Sequence, residues 1–173
     1  MIDWLSEVFS SNSDKARMIA ILISALVAIG VLLLNQYFLS RRTRKELLIT
    51  KIEELYRSAI EYESKARELL KGINKGQRDE RGNFYLNPEL IDAMNDEVHK
   101  MEMLVGLHFP EVNFDRDRFY AGPTLPVLEI AIKEKRISED EALEASKNTK
   151  DNIRNNSQEI KKLCAELMQQ YRH

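Results

Sequence analysis

The residue types able to do covalent or metal chemistry are few in this chain and stand at unhelpful spacings. Its one cysteine, Cys164, falls among Ile160, Leu163 and Leu167 in a helical pattern. That pattern makes it a small buried apolar residue; a lone thiol excludes an intramolecular disulfide and suits a reducing compartment. The histidines His99, His108 and His173 have no cysteine or carboxylate partners at ligand spacing, so no metal site is expected. Asn113, Asp115 and Asp117 invite a calcium reading. The stretch lacks the central glycine and closing glutamate of an EF-hand, and its arginines oppose a cation. Gly72-Ile-Asn-Lys-Gly76-Gln lacks the spacing and terminal Lys-Ser or Lys-Thr of a phosphate-binding loop. Neither a nucleophile elbow nor a Cys-His arrangement appears. No catalytic residue, metal or cofactor is assigned, and a non-enzymatic role is expected.

One polar cluster stands out near the C-terminus, where Asn148, Asn152, Asn155, Asn156 and Ser157 surround Ile153 and Arg154. Buried amides need partners, so the cluster reads as a satisfied network or an oligomer contact ahead of the remains of a site.

The elements that must position these residues are bounded by length and charge. The 173 residues leave room for one membrane segment plus one domain of about 130 residues, enough to bury a core. A net charge of -2 and a pI near 6.0 supply no basic excess to neutralise a phosphate backbone, so direct nucleic-acid binding is not expected.

Between Arg17 and Arg41 no residue is charged, and residues 18–34 include only Ser24 and Gly30 outside the strongly apolar set. At 1.5 Å per residue this run reaches about 34 Å, enough to cross a hydrocarbon core of about 30 Å. A cleavable signal peptide is the competing reading. The run is too long for one, and no small-x-small cleavage site precedes Arg41. Tyr37 and Trp4 suit the two interfaces.

Arg41, Arg42, Arg44 and Lys45 crowd the C-terminal flank, while Lys15 and Arg17 are offset by Asp14, Glu7 and Asp3. The positive side stays in the cytoplasm, so residues 1–16 are expected outside, 17–40 across the bilayer and 41–173 inside. Ala16, Ala20, Ser24 and Ala28 recur every four residues, a small-residue stripe that lets a second helix approach closely. Asn35 and Gln36 are costly facing lipid and prefer a partner helix or a watery lumen. Ile2, Leu5, Val8 and Phe9 give the first nine residues a helical apolar spacing that suits the outer membrane surface, or a frayed end.

Beyond the flank the chain reads as helices throughout: all-α, one transmembrane helix continuing into a cytoplasmic up-down bundle. No Pro or Gly interrupts the chain from Gly30 to Gly72. Leu48, Ile52, Leu55, Ala59, Tyr62, Ala66 and Leu69 step by four and three, with Ile49, Tyr56, Ile60 and Leu70 widening the face for bundle or coiled-coil packing. Gly72 is expected to end this helix. Residues 73–86 read as a loop or short hairpin turning at Arg-Gly-Asn. Asn87 caps a helix with Pro88 at its first position, buried through Ile91, Met94, Val98, Met101 and Val105, and stopped by Pro110. Residues 112–124 read as irregular, and 125–136 as a short apolar helix with Pro126 in its first turn. Ser138 and Glu141 form a capping box opening a last helix to about Tyr171, its stripe running through Ala142, Thr149, Ile153, Asn156, Ile160, Leu163 and Leu167.

Met103-Leu-Val-Gly-Leu-His-Phe-Pro-Glu-Val112 resembles a Leu-x-x-Leu-Tyr-Phe-Pro-Glu-Leu stretch of small bacterial proteins with an N-terminal membrane helix and a helical bundle. Within that plan the chain looks most like the membrane-anchored accessory proteins of RNA-targeting CRISPR systems, whose cytoplasmic part is a divergent HEPN-like bundle. The resemblance implies antiviral defence at the bacterial inner membrane by a self-assembled pore. HEPN ribonucleases pair an Arg with a His four to six intervening residues later. Arg154-Asn155 matches the start of that motif, but positions 159–161 hold no histidine, so the resemblance implies a vestigial site. The expectation is an oligomeric single-pass membrane effector, its copies associating through the small-residue stripe and the cytoplasmic heptads. The alternatives are a membrane tether whose bundle recruits a cytosolic protein, and a membrane-bound ribonuclease.

Overall fold

The computed structural model describes residues 12–78, 80, 84–132 and 138–172. The expectations for Trp4 and for residues 1–9 lie outside the described residues. Four α-helices carry the described chain: α1 (Asn12–Asn74), α2 (Pro88–His108), α3 (Gly122–Ile132) and α4 (Glu139–Arg172). The chain is all-α, and among the described residues its extended pairing is limited to one antiparallel bridge between Arg78 and Phe84. It divides into two compact units, Met1–Glu46 and Leu47–His173.

In the first unit the apolar part of α1 is long and apolar enough to cross a membrane, and none of that window is buried within the chain. Ile21 and Leu26 are 68% and 69% exposed. With no Pro between Arg17 and Asn74, the backbone ladder of α1 has no missing donor, and it runs unbroken as expected.

The second unit has a three-helix core. The stripe Ile52, Leu55, Ala59, Tyr62, Ala66 and Leu69 of α1 packs with Met94, Val98, Met101, Leu104 and Val105 of α2 and Ile153, Ile160, Cys164 and Leu167 of α4. Each large apolar side chain buried here contributes on the order of 2 kcal/mol. Polar contacts fix the register. Lys65 of α1 donates to Glu97 of α2 at 2.7 Å, and Leu69 shares a small cavity with Ile91 and Met94, so α2 runs antiparallel to α1. Ser146 reaches Asn74 at 2.9 Å while Ser157 reaches Glu63 at 2.9 Å, so α4 runs antiparallel too. Leu70, Ile73, Phe84, Val127 and Ala142 form a satellite cluster where α3 meets this end of the bundle.

Four details differ from expectation, each for a local reason. First, α1 passes through Gly72 and ends at Asn74. Gly76 is the left-handed residue, with φ of 63°, and the Gly76 and Gln77 N–H groups donate to the Ile73 and Gly72 carbonyls at 2.9 and 3.1 Å. That pair of bonds is the Schellman closure. Gly72 instead leaves room for the returning chain, since a Cβ there would sit 3.1 Å from the Tyr85 carbonyl.

Second, residues 112–124 are partly helical. A π-helical turn, Asp117–Ala121, leads into α3, which starts at Gly122 so that Pro126 lies beyond the first turn. Asp115 accepts from the Arg118 N–H at 3.1 Å and starts the turn, so it serves as a cap. Pro123 has no N–H for the Phe119 carbonyl four residues back, and the buried Tyr62 hydroxyl donates to that carbonyl at 2.7 Å. α3 is described to Ile132, and the expected helix at 133–136 lies outside the described residues. Third, Tyr56 and Ile60 of the widened α1 face stay 43% and 44% exposed. Fourth, three amides of the asparagine cluster are not buried: Asn148, Asn152 and Asn155 face solvent.

The expected caps are present. The Glu89 N–H donates to the Asn87 side chain at 3.0 Å. The Ser138 N–H donates to Glu141 at 3.2 Å, and the Glu141 N–H donates to the Ser138 hydroxyl at 3.3 Å, which completes the capping box.

Candidate functional site

In the unit Met1–Glu46, Ala16, Ala20, Ser24 and Ala28 lie one turn apart and are exposed. The Ser24 hydroxyl donates to the Ala20 carbonyl at 2.8 Å, so its one donor is satisfied within the helix. Asn35 and Gln36 are exposed, and neither amide has a hydrogen-bond partner among the described residues. In the basic flank the Arg41 guanidinium stacks 5.6 Å from the Tyr37 ring and Arg42 pairs with Glu46 at 2.8 Å. Arg44 is exposed and Lys45 is half-buried.

In the unit Leu47–His173 the polar chemistry gathers where α1 faces α4. Glu63 is the hub, only 8% exposed. One carboxylate oxygen takes the Arg67 guanidinium, one turn along α1. The other accepts from Ser157 at 2.9 Å and from Lys161 at 2.8 Å, both on α4. Burial pushes this carboxyl upward, but the hydrogen bonds from Lys161, Arg67 and Ser157 outweigh it and hold the pKa at about 2. Of the polar cluster read from the sequence, Ser157 joins this buried network. Asn156 donates to the Arg118 carbonyl at 3.0 Å, and Arg118 pairs with Glu159.

Two concavities flank this hub. Towards the C-terminal end of α4 lies a mainly apolar groove of about 490 Å³, lined by Ile52, Tyr56 and Ile60 of α1 and by Cys164, Ala165 and Met168 of α4, with Glu53, Arg57 and Lys161 as its charged lining. Tyr56 and Ile60 are exposed because they form one wall of it. Burial pushes the Cys164 thiol up to about 11, which leaves it protonated and a poor nucleophile at neutral pH.

On the other side is a polar pocket of about 380 Å³ lined by Glu63, Ala66, Arg67 and Leu70 of α1 and by Lys150, Ile153 and Arg154 of α4. Arg154 therefore stands at a cavity, while Asn155 points to solvent and lines none of the cavities described. The sequence points to Arg154 but not to Glu63, Arg67, Lys150 or Lys161. The signal available for them was faint: an acid-base pair at Glu63 and Arg67 and a like-charge pair at Lys150 and Arg154, each four residues apart.

The arrangement can bind and brace. It offers a held carboxylate, a protonated thiol and a group of cations. No family model, no curated protein and no solved structure matches the chain.

Proposed function

We propose that the chain is a self-associating, single-pass membrane effector, with residues 1–16 outside, 17–40 across the bilayer and the bundle in the cytoplasm. One observation carries this reading: a helix segment with no charge from residue 18 to 40 presents its large side chains uncovered, Ile21, Leu26, Leu32 and Phe38 being 62–69% exposed. Lipid is the environment that offsets such exposure. The basic flank supports the cytoplasmic placement of the bundle.

Association rests on the membrane helix. The cytoplasmic heptad residues are consumed by the bundle's own core, so they leave no seam for a coiled coil between copies. Ala20, Ser24 and Ala28 support close helix approach, and the partnerless Asn35 and Gln36 amides turn to a second copy or to a water-filled lumen. The resemblance to antiviral accessory proteins makes that assembly a pore or a membrane-perturbing device of the bacterial inner membrane. The mass of the particle solubilised in neutral detergent tests the reading: several copies are expected, and a strict monomer overturns it.

The apolar groove lined by Tyr56, Ile60 and Met168 favours a second reading, a tether whose bundle recruits a cytosolic protein. Exchanging residues 18–39 for an unrelated membrane helix separates the two. A tether keeps its activity after the exchange, whereas the effector loses it.

A further inference from the structure

The pocket between the middle of α1 and the middle of α4 has an unusual charge balance. Arg67, Lys150 and Arg154 line it, with Glu63 as its one carboxylate among the described residues, and that carboxylate is already engaged by Arg67, Lys161 and Ser157. Neither Lys150 nor Arg154 has an acidic partner among the described residues. The two stand four residues apart on one face of α4, a like-charge pair that by itself disfavours the helix. Across from them, on α1, Arg67 adds a third positive charge to the same rim.

The floor of the pocket is different. Ala66, Leu70 and Ile153 are buried apolar residues, so the cavity has a basic lip over an apolar base. Its volume, about 380 Å³, falls in the range of small-molecule sites, which usually run from roughly 300 to 1,000 Å³. Two guanidinium groups can meet phosphate oxygens two at a time, and an ammonium adds a mobile point charge. The Glu63 network fixes the α1 wall, because Arg67 is held from behind by the same carboxylate that ties α1 to α4.

We propose that this pocket, rimmed by Arg67, Lys150 and Arg154, binds a small phosphate-bearing molecule, its phosphates on the basic lip and its body over Ala66, Leu70 and Ile153. The site is complete within one copy of the chain and does not depend on membrane insertion.

The test is a calorimetric titration of inorganic triphosphate into the full chain in neutral detergent at low salt. Wild type binds it saturably at one site per chain. Lys150→Ala and Arg154→Ala each weaken binding at least tenfold, while Lys100→Ala, an equal charge change on the exposed face of α2, changes it less than twofold. Lys150 and Arg154 are exposed and have no polar partner among the described residues, and each replacement relieves their mutual repulsion, so neither variant melts below wild type. Absence of saturable binding overturns the proposal. So does an equal loss in Lys100→Ala, which marks non-specific charge attraction. A twelve-nucleotide single-stranded RNA binding more than tenfold tighter than triphosphate, with the same sensitivity to Lys150→Ala, also overturns it by assigning the surface to a nucleic-acid strand. A monomeric, lipid-free protein passes or fails this titration on its own terms, so the result is separate from the fate of the membrane reading.

Discussion

Glu63 is the side chain on which the α1–α4 contact turns. Its carboxyl is held at about 2 against an ordinary 4.5 because hydrogen bonds from Lys161, Arg67 and Ser157 overcome the opposing effect of burial. The folded form therefore has the lower pKa, and the stability it contributes is present above about pH 4.5 and lost as pH falls towards 2. A shift of that size corresponds to at most roughly 3 kcal/mol. Glu63→Gln keeps the volume and removes the charge, leaving the Lys161 ammonium without a counter-ion. Circular-dichroism melting should show the variant less stable by about 2 kcal/mol at pH 7, with the gap narrowing as pH falls below about 4.5 and closing only below about pH 2. A constant gap between the two across that range would assign the cost to shape instead of charge. Nothing in the sequence singled out Glu63, since a glutamate four residues before an arginine looks like any solvated helix pair. Its burial comes from Ser157 and Lys161, nearly a hundred residues away.

At the scale of elements, side-chain period and cap chemistry carried most of the information. The four-three stepping of α1 is buried from Ile52 to Leu69 with Leu48 partly buried, and the caps at Asn87 and Ser138 open the helices as expected. Helix ends dependent on long-range approach were harder. Gly72 looked like a stop, but its missing side chain admits the Tyr85 carbonyl, and the left-handed turn is made four residues later. Gly76→Ala should thus cost about 1 kcal/mol, because its φ of 63° disfavours a Cβ while the space around it is open. Urea denaturation followed by far-ultraviolet circular dichroism measures this directly, and an unchanged midpoint would mean that the closure does not need glycine. The π-helical turn before α3 was illegible for a related reason. It depends on the Tyr62 hydroxyl arriving from α1 at a carbonyl that Pro123 cannot serve.

At the scale of the whole molecule, the membrane-capable segment was legible because exclusion of charge is a one-dimensional property. The candidate pocket was not, since it joins residues 63–70 to residues 150–154. The same contrast decides how the two compact units should respond to substitution. Every residue of the bundle core lies at Ile52 or later, and Ala20, Ser24 and Ala28 make no part of it. Replacing Ala20 and Ala28 together with Ile adds bulk to the small-residue stripe while keeping the segment apolar, so insertion should be unaffected. Helix approach in lipid depends on small side chains for close packing. Losing about 1–2 kcal/mol of that packing lowers the association constant on the order of tenfold. The double variant should fractionate with membranes as wild type does, melt at the same temperature, and shift towards monomer when crosslinked in detergent at matched concentration. Crosslinking equal to wild type would remove the stripe as the contact and leave Asn35 and Gln36, or the cytoplasmic groove, to hold copies together. Loss of membrane fractionation would instead show that the substitution acts on insertion, an outcome that the unbroken apolar character of the segment argues against.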